Sequence, residues 1–184
     1  MSSIAASFLE RSRYYLCTEY PTKIRAAVES LPPDKLWWRP HDQANSAGNL
    51  LLHLSGNVRQ WIISGVGGAP DVRKRNMEFA ARGGAPAGQM LDMFAATLRD
   101  ADAVIRGLTP SELLSRRSIQ GRDTTVFEAL YHVVEHFSGH TYQIILLAKM
   151  FAPGAVRFYE DGDGIAVPLF LGEGKFEMGS GGGA

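Results

Sequence analysis

The chain has 184 residues, with 19 basic and 19 acidic side chains, five histidines and one cysteine. That length suits one domain, or one domain with a tail, and supports a core that needs no covalent staple. A formal net charge of zero argues against a general binder of nucleic acid or anionic membrane, which carries a basic excess, and the lone Cys17 excludes an internal disulfide framework and a cysteine-rich zinc module.

Met1 to Leu16 carries charges at Glu10, Arg11 and Arg13 and does not read as a signal peptide. No apolar run approaches the ~18 residues of a membrane span. The expectation is a cytoplasmic protein acting on a small molecule. The first helix is expected from about Ser3 to Leu31, with Ile4, Phe8, Tyr15, Ile24 and Val28 on helical spacings. Pro21 predicts a kink there, or two consecutive helices. Leu31-Pro32-Pro33 ends the run, and Asp34 can cap a short turn through Trp37. A second helix is expected from about Ala47, after Ser46 as N-cap, to Gly65 as stop. Its apolar positions are Leu50, Leu54, Val58 and Trp61, while Asn49, His53, Asn57 and Gln60 form a polar line. That line faces either solvent or a wet pocket.

The link from Val66 to Gly88 is long for an unstructured connection. It fits if helices two and three are parallel, because the chain must then return along a helix about 28 Å long. Its basic run Arg73-Lys74-Arg75 reads as a solvated loop surface or as an anion-binding lip. The third helix is expected from about Gln89 to Gly107, with Met90, Met93, Phe94, Leu98, Ala101 and Ile105 marking its apolar face. The fourth is expected from about Val126 to Phe151, opened by Thr124 or Thr125 and ended by Pro153-Gly154. No segment before residue 155 reads as a strand. Beyond it, Val156, Phe158 and Tyr159 form a short strand or packing strap, followed by a turn at Asp161-Gly162-Asp163-Gly164. Ile165 to Leu171 is apolar enough to dock on the helices, and Gly179 to Ala184 reads as a flexible end. The fold class expected is all-α: a four-helix bundle, up-down-down-up, with a long crossover between helices two and three and an irregular C-terminal strap. Residues 1–160 form the bundle domain and 161–184 a glycine-rich extension.

Three of the five histidines fall within nine residues of helix four, at His132, His136 and His140. Residues four apart on a helix are stacked neighbours, so two imidazoles at that spacing can grip one zinc or nickel ion. A reactive site takes three protein ligands plus water, and His53 in helix two supplies the third. With about 100° per residue, Val126, Ala129, Val133, Ile144 and Leu147 lie within about 40° of His140, which places His140 on the core face. His136 lies about 40° to one side and His132 about 80°, so His136 and His140 are the inward pair, with His132 adjacent. Gln143 can hydrogen-bond a ligand or bound water, and Asn57 belongs to the same pocket. A histidine general base is the alternative without metal.

Two protease motifs fail here. His136-Phe137-Ser138-Gly139-His140 has the spacing of HExxH but puts Phe137 where the catalytic glutamate belongs. His132-Val133-Val134-Glu135-His136 spells HxxEH, yet Glu135 lies about 140° from His140 on the wheel. Cys17, beside Leu16 and Tyr20, reads as packing.

Trp37-Trp38-Arg39-Pro40, Asn45-Ser46, the string from Asn49 through His53 to Asn57, and the string from His132 to His140 together resemble an uncharacterised branch of the DinB-like superfamily. The resemblance covers about residues 5–160. It implies an up-down-down-up bundle with His53, His136 and His140 on one divalent metal, nickel or zinc, and it makes a homodimer plausible. Thr141-Tyr142 stands where relatives commonly carry glycine before Gln143, so helix packing or pocket shape differs there. Relatives include enzymes that use a low-molecular-weight thiol, which implies a thiol S-transferase or, with metal-activated water, a hydrolase. A non-catalytic metal-binding or stress-associated bundle is the other reading, and a fourth ligand from His132 would close the site.

Overall fold

The computed structural model describes residues 3–170. They are mostly helical, with two small antiparallel hairpins. Helix α1 (Ile4–Tyr14) opens on Ser3, whose hydroxyl accepts from the Ala6 N–H at 3.2 Å. A π-helical turn, Tyr15–Glu19, joins it to α2 (Tyr20–Ser30), with Pro21 in the first turn of α2. Pro21 has no N–H to return to the preceding turn, and its ring crowds that turn's carbonyls. The wider π turn accommodates both, so the chain continues as two consecutive helical segments. Asp34 lies inside the following 3-10 turn (Pro33–Lys35) rather than capping it.

Helix α3 (Ala47–Val58) starts on the expected Ser46 cap, completed into a capping box by Asn49. It runs on as a π segment, Arg59–Val66. The crossover that follows is not wholly irregular, because a six-residue helix α4 (Arg75–Ala80) interrupts it. Asn49 ties α4 down, its Nδ2 donating to the carbonyls of Glu78 (2.8 Å) and Ala81 (3.0 Å). Helix α5 (Ala87–Gly107) begins two residues earlier than its apolar pattern indicates.

The expectation of no strand before residue 155 is corrected by a hairpin of β1 (Arg116–Ile119) and β2 (Arg122–Thr125). Its two-residue turn, Gln120-Gly121, has both φ angles positive at +53° and +71°, which matches the right-handed twist of the flanking strands. The strand residues are almost all polar, so no alternation announced them; Ile119, 3% exposed, anchors the hairpin together with buried Thr124. Helix α6 (Val126–Phe151) has the expected limits, with Thr125 as N-cap and Glu128 closing a capping box. A second hairpin pairs β3 (Tyr159–Gly162) with β4 (Ile165–Pro168) through the expected turn. Ile165, Val167 and Leu169 are 57%, 47% and 46% exposed. These three side chains face outward, and the segment touches the helices through Phe170, whose ring centroid lies 4.4 Å from Lys23 Nζ; the backbone of β4 pairs with β3, and Tyr159 holds the hairpin by accepting from buried Lys23 at 3.0 Å. Leu171 and the expected flexible end, Gly179 to Ala184, lie outside the described residues.

Side-chain pairs give the register of the helices. Arg59 meets Asp100 (3.9 Å) and Gly67 meets Val104, so these pairs advance together along the second and third long helices. Phe8 packs on Phe127 and Tyr20 on Phe137, again advancing together. Arg13 bonds Asp102 (2.7 Å) while Arg25 faces Asp92 (3.7 Å), the opposite sense. Ile24, Leu54, Ile62, Leu130, Val133, Phe137 and Ile144, all fully buried, fill the space between. No helix among the described residues is long and apolar enough to cross a membrane.

Candidate metal centre

The buried stripe of α6 runs through Val126, Val133, Phe137 and Ile144, and the three histidines of that helix line its edge. His136 and His140 are half-buried one turn apart. His140 thus sits on the flank of the core face rather than at its middle, because Phe137 and Thr141 occupy the centre. Opposite them on α3, His53 is 4% exposed, held between fully buried Leu50 and Leu54. Its Nε2 stands 2.8 Å from His136 Nε2, and the His53 and His140 rings are 5.0 Å apart, edge to face. One ring nitrogen from each of His53, His136 and His140 lies within 4.8 Å of the others, close enough for one ion.

The electrostatics suit ligation. Burial pushes His136 down to about 3, reinforced by the neighbouring His140 and His53. Burial also lowers His140, outweighing the support from Gln143. Both rings are neutral at pH 7 and keep a free lone pair. Gln143 Oε1 accepts from His140 Nδ1 at 2.7 Å, which leaves Nε2 of that ring as the free donor atom. Two nitrogens on a tetrahedral zinc stand about 3.3 Å apart, since Zn–N bonds are about 2.0–2.1 Å. The donor set, three imidazoles converging from two helices, fits a divalent metal ion.

His132 stays outside this group. It packs on Trp61, ring centroids 4.3 Å apart, and stacks on His136 at 5.4 Å. Asn57 is buried on α3, but its Oδ1, like Trp61 Nε1, meets no partner among the described residues. Asn57 therefore shares the face without bonding a histidine. The polar line of α3 is not a solvent face, since Asn49, His53 and Asn57 are all buried beneath the crossover and α6. Glu135 is exposed and Phe137 fully buried, so neither protease motif has its glutamate at the site.

The crossover brings a residue that spacing did not reveal. Glu78 Oε2 lies 3.0 Å from His53 Nδ1. Burial pushes the Glu78 carboxyl up, but hydrogen bonds from Arg73 and His53 hold it below its ordinary value. Arg73 grips Glu78 as a fork, Nε to Oε1 at 2.7 Å and Nη2 to Oε2 at 2.8 Å. Of the basic run, Arg73 is thus turned inward, its side chain 3% exposed, and forms no anion-binding lip. Lys74 and Arg75 are exposed, and Arg75 lies over Phe79, whose ring packs on His53 at 4.6 Å. Glu78 was hidden because it falls in a segment with no apolar period, and nothing in its local sequence ties it to His53, 25 residues away.

Cavities lie away from the histidines. One of about 550 Å³ is lined by Arg13, Cys17, Arg99, Asp102 and Arg106 between α1 and α5. Another, about 370 Å³, lies between α3 and α5. Burial pushes the Cys17 thiol up to about 12, so it is no thiolate at neutral pH and packs rather than attacks.

No curated protein matches the chain. The model of one family does, over residues 3–158. The chain belongs to that family, described as a protein of unknown function (DUF1572).

Proposed function

We propose that this protein is a divalent-metal-dependent enzyme in which His53, His136 and His140 hold one nickel or zinc ion. A small thiol or a water takes the remaining position. The observation that carries the reading is the convergence of three ring nitrogens within 4.8 Å from two helices. When bound, such an ion lowers the pKa of a thiol or water and so supplies a nucleophile at neutral pH. The chain's own residues prepare the position: burial keeps His136 and His140 neutral, and Gln143 orients His140. His132, stacked on Trp61, borders the site without joining it.

The bundle is read as up-down-down-up and DinB-like. Support comes from the pairs that advance together between the second and third helices, Arg59 with Asp100 and Gly67 with Val104. The antiparallel sense of α3 and α6, with His53 on His136 and Trp61 on His132, agrees. The reaction class is S-transfer from a low-molecular-weight thiol, with hydrolysis as the second form of the same activation.

The deciding experiment is elemental analysis of protein purified without chelator, followed by thiol titration of the cobalt-loaded form. About one ion per chain is expected, lost in His136→Ala, with a charge-transfer band that appears on adding thiol. Metal-free protein after reloading would overturn the site. A metal-loaded protein without the band would overturn the thiol reading and leave water activation.

A further inference from the structure

The crossover does more than return the chain. We infer that its Arg73–Glu78 pair is a positioning device for His53: Glu78 sets the tautomer and direction of the ring, and Arg73 sets Glu78. This role rests on His53 being a metal ligand.

An ionised carboxylate can only accept. With Glu78 Oε2 at 3.0 Å from His53 Nδ1, the ring proton belongs on Nδ1. The lone pair is then on Nε2, the atom that stands 2.8 Å from His136. Arg73 Nη2 also lies 3.2 Å from His53 Nδ1, but two N–H groups cannot bond each other, and Glu78 Oε2 receives both.

Glu78 is itself immobilised. Arg73 binds it through two parallel bonds, a fork that lysine cannot reproduce. The third arm of the guanidinium, Nη1, donates to Gln60 Oε1 at 3.0 Å. Gln60 is oriented in turn, donating to Asp71 Oδ2 at 2.7 Å and accepting from Gln120 at the tip of the β1–β2 hairpin. The crossover, the π segment and the hairpin tip are therefore linked, through Gln60 and Arg73, to one carboxylate. Gly56 makes room for it: a Cβ there would lie 2.8 Å from Glu78 Cδ and 2.9 Å from Arg73 Nε. The pair thus rests directly on the α3 backbone, three residues after His53.

Stability alone does not account for this placement. A buried ion pair contributes little over well-packed apolar residues of the same volume. What the pair does that apolar residues could not is dictate where the imidazole carries its proton. Carboxylate partners of this kind raise ligand basicity and hold the ring for the ion.

The test compares wild type with Glu78→Gln and Arg73→Lys. Glutamine keeps the shape but can donate as well as accept, so it no longer dictates a tautomer; lysine keeps the charge but loses the fork. Cobalt affinity is measured by chelator competition, and the protonated nitrogen of His53 by heteronuclear NMR of the metal-free protein. In wild type the proton is expected on Nδ1. Glu78→Gln is expected to mix the tautomers and weaken cobalt binding about 10–100-fold, with Arg73→Lys between it and wild type. A purely structural pair would lower the melting temperature and leave the tautomer alone, which overturns the inference. So does cobalt binding unchanged in both variants, or a wild-type His53 protonated on Nε2. Wild-type protein that takes up no cobalt overturns the metal reading, and this role with it.

Discussion

Gly56→Ala separates helix propensity from site geometry. Inside a helix, alanine is favoured over glycine by roughly 0.5–1 kcal/mol, and Gly56 lies within α3. Ordinary propensity therefore predicts a gain. The structure predicts a loss. The new methyl would meet Glu78 Cδ at 2.8 Å and Arg73 Nε at 2.9 Å, where carbon atoms at rest lie about 3.5–4.0 Å apart. Glu78 must recoil by on the order of 1 Å to restore that separation. Its bond to His53, now 3.0 Å, would then pass out of hydrogen-bonding range. Losing a hydrogen bond to a charged group costs about 1.5–3 kcal/mol. Set against the propensity gain, the net is a destabilisation of roughly 1–2 kcal/mol, or about 2–8 °C in melting temperature for a chain of this size. The assay is a thermal melt of the metal-free protein, with Gly139→Ala as control. Gly139 lies in α6 with open space where its Cβ would go, so that variant is expected to gain stability. Gly56→Ala as stable as Gly139→Ala, with unchanged cobalt affinity, would refute the reasoning.

Three further predictions follow from charge and burial. His136 titrates near 6.5 when unfolded, as free histidine does, but is held down to about 3 in the fold. The unfolded chain therefore takes up the proton first, and the metal-free protein should lose stability as pH falls from about 6.5 towards 3; His136→Leu should flatten that slope in denaturant titrations, and an unchanged slope counts against it. Lys23 is buried, with its ammonium on Glu19 at 2.7 Å and on Tyr159 at 3.0 Å. Lys23→Met leaves partly exposed Glu19 without its cation and should cost about 1–3 kcal/mol, with faster amide exchange in Tyr159–Pro168 than in α3. Cys17, pushed up to about 12, should react with iodoacetamide far more slowly in the folded protein than in denaturant; equal rates would show the thiol to be open.

The parts of this fold that bury a periodic face were legible. Helix α6 has its expected limits because Thr125 caps it and Pro153-Gly154 stops it, and its stripe of Val133, Phe137 and Ile144 recurs at helical spacing. His53, His136 and His140 were readable for the same reason: spacing along helices is local, and two facing helices bring their rings together. The β1–β2 hairpin was not, because Arg116–Ile119 and Arg122–Thr125 carry almost no apolar alternation. Helix α4 and the inward turn of Arg73 were hidden for a different reason. Helix α4 depends on Asn49, 29 residues before Glu78, and Arg73 turns inward onto Glu78, five residues on, which itself faces His53, 25 residues back. A run of three basic residues looks the same whether it is solvated or clamped.

The contacts of His53 span 25 residues to Glu78 and 83 to His136. An ion held by His53, His136 and His140 would therefore cross-link two distant stretches of chain through a single imidazole, closing a loop as a disulfide does. Such a cross-link forms only after α6 has docked on α3, so an emerging or truncated chain without its fourth long helix has nowhere to hold the ion. Metal uptake would then serve as a stamp of completed folding, and each ion bound would draw the equilibrium further towards the finished molecule.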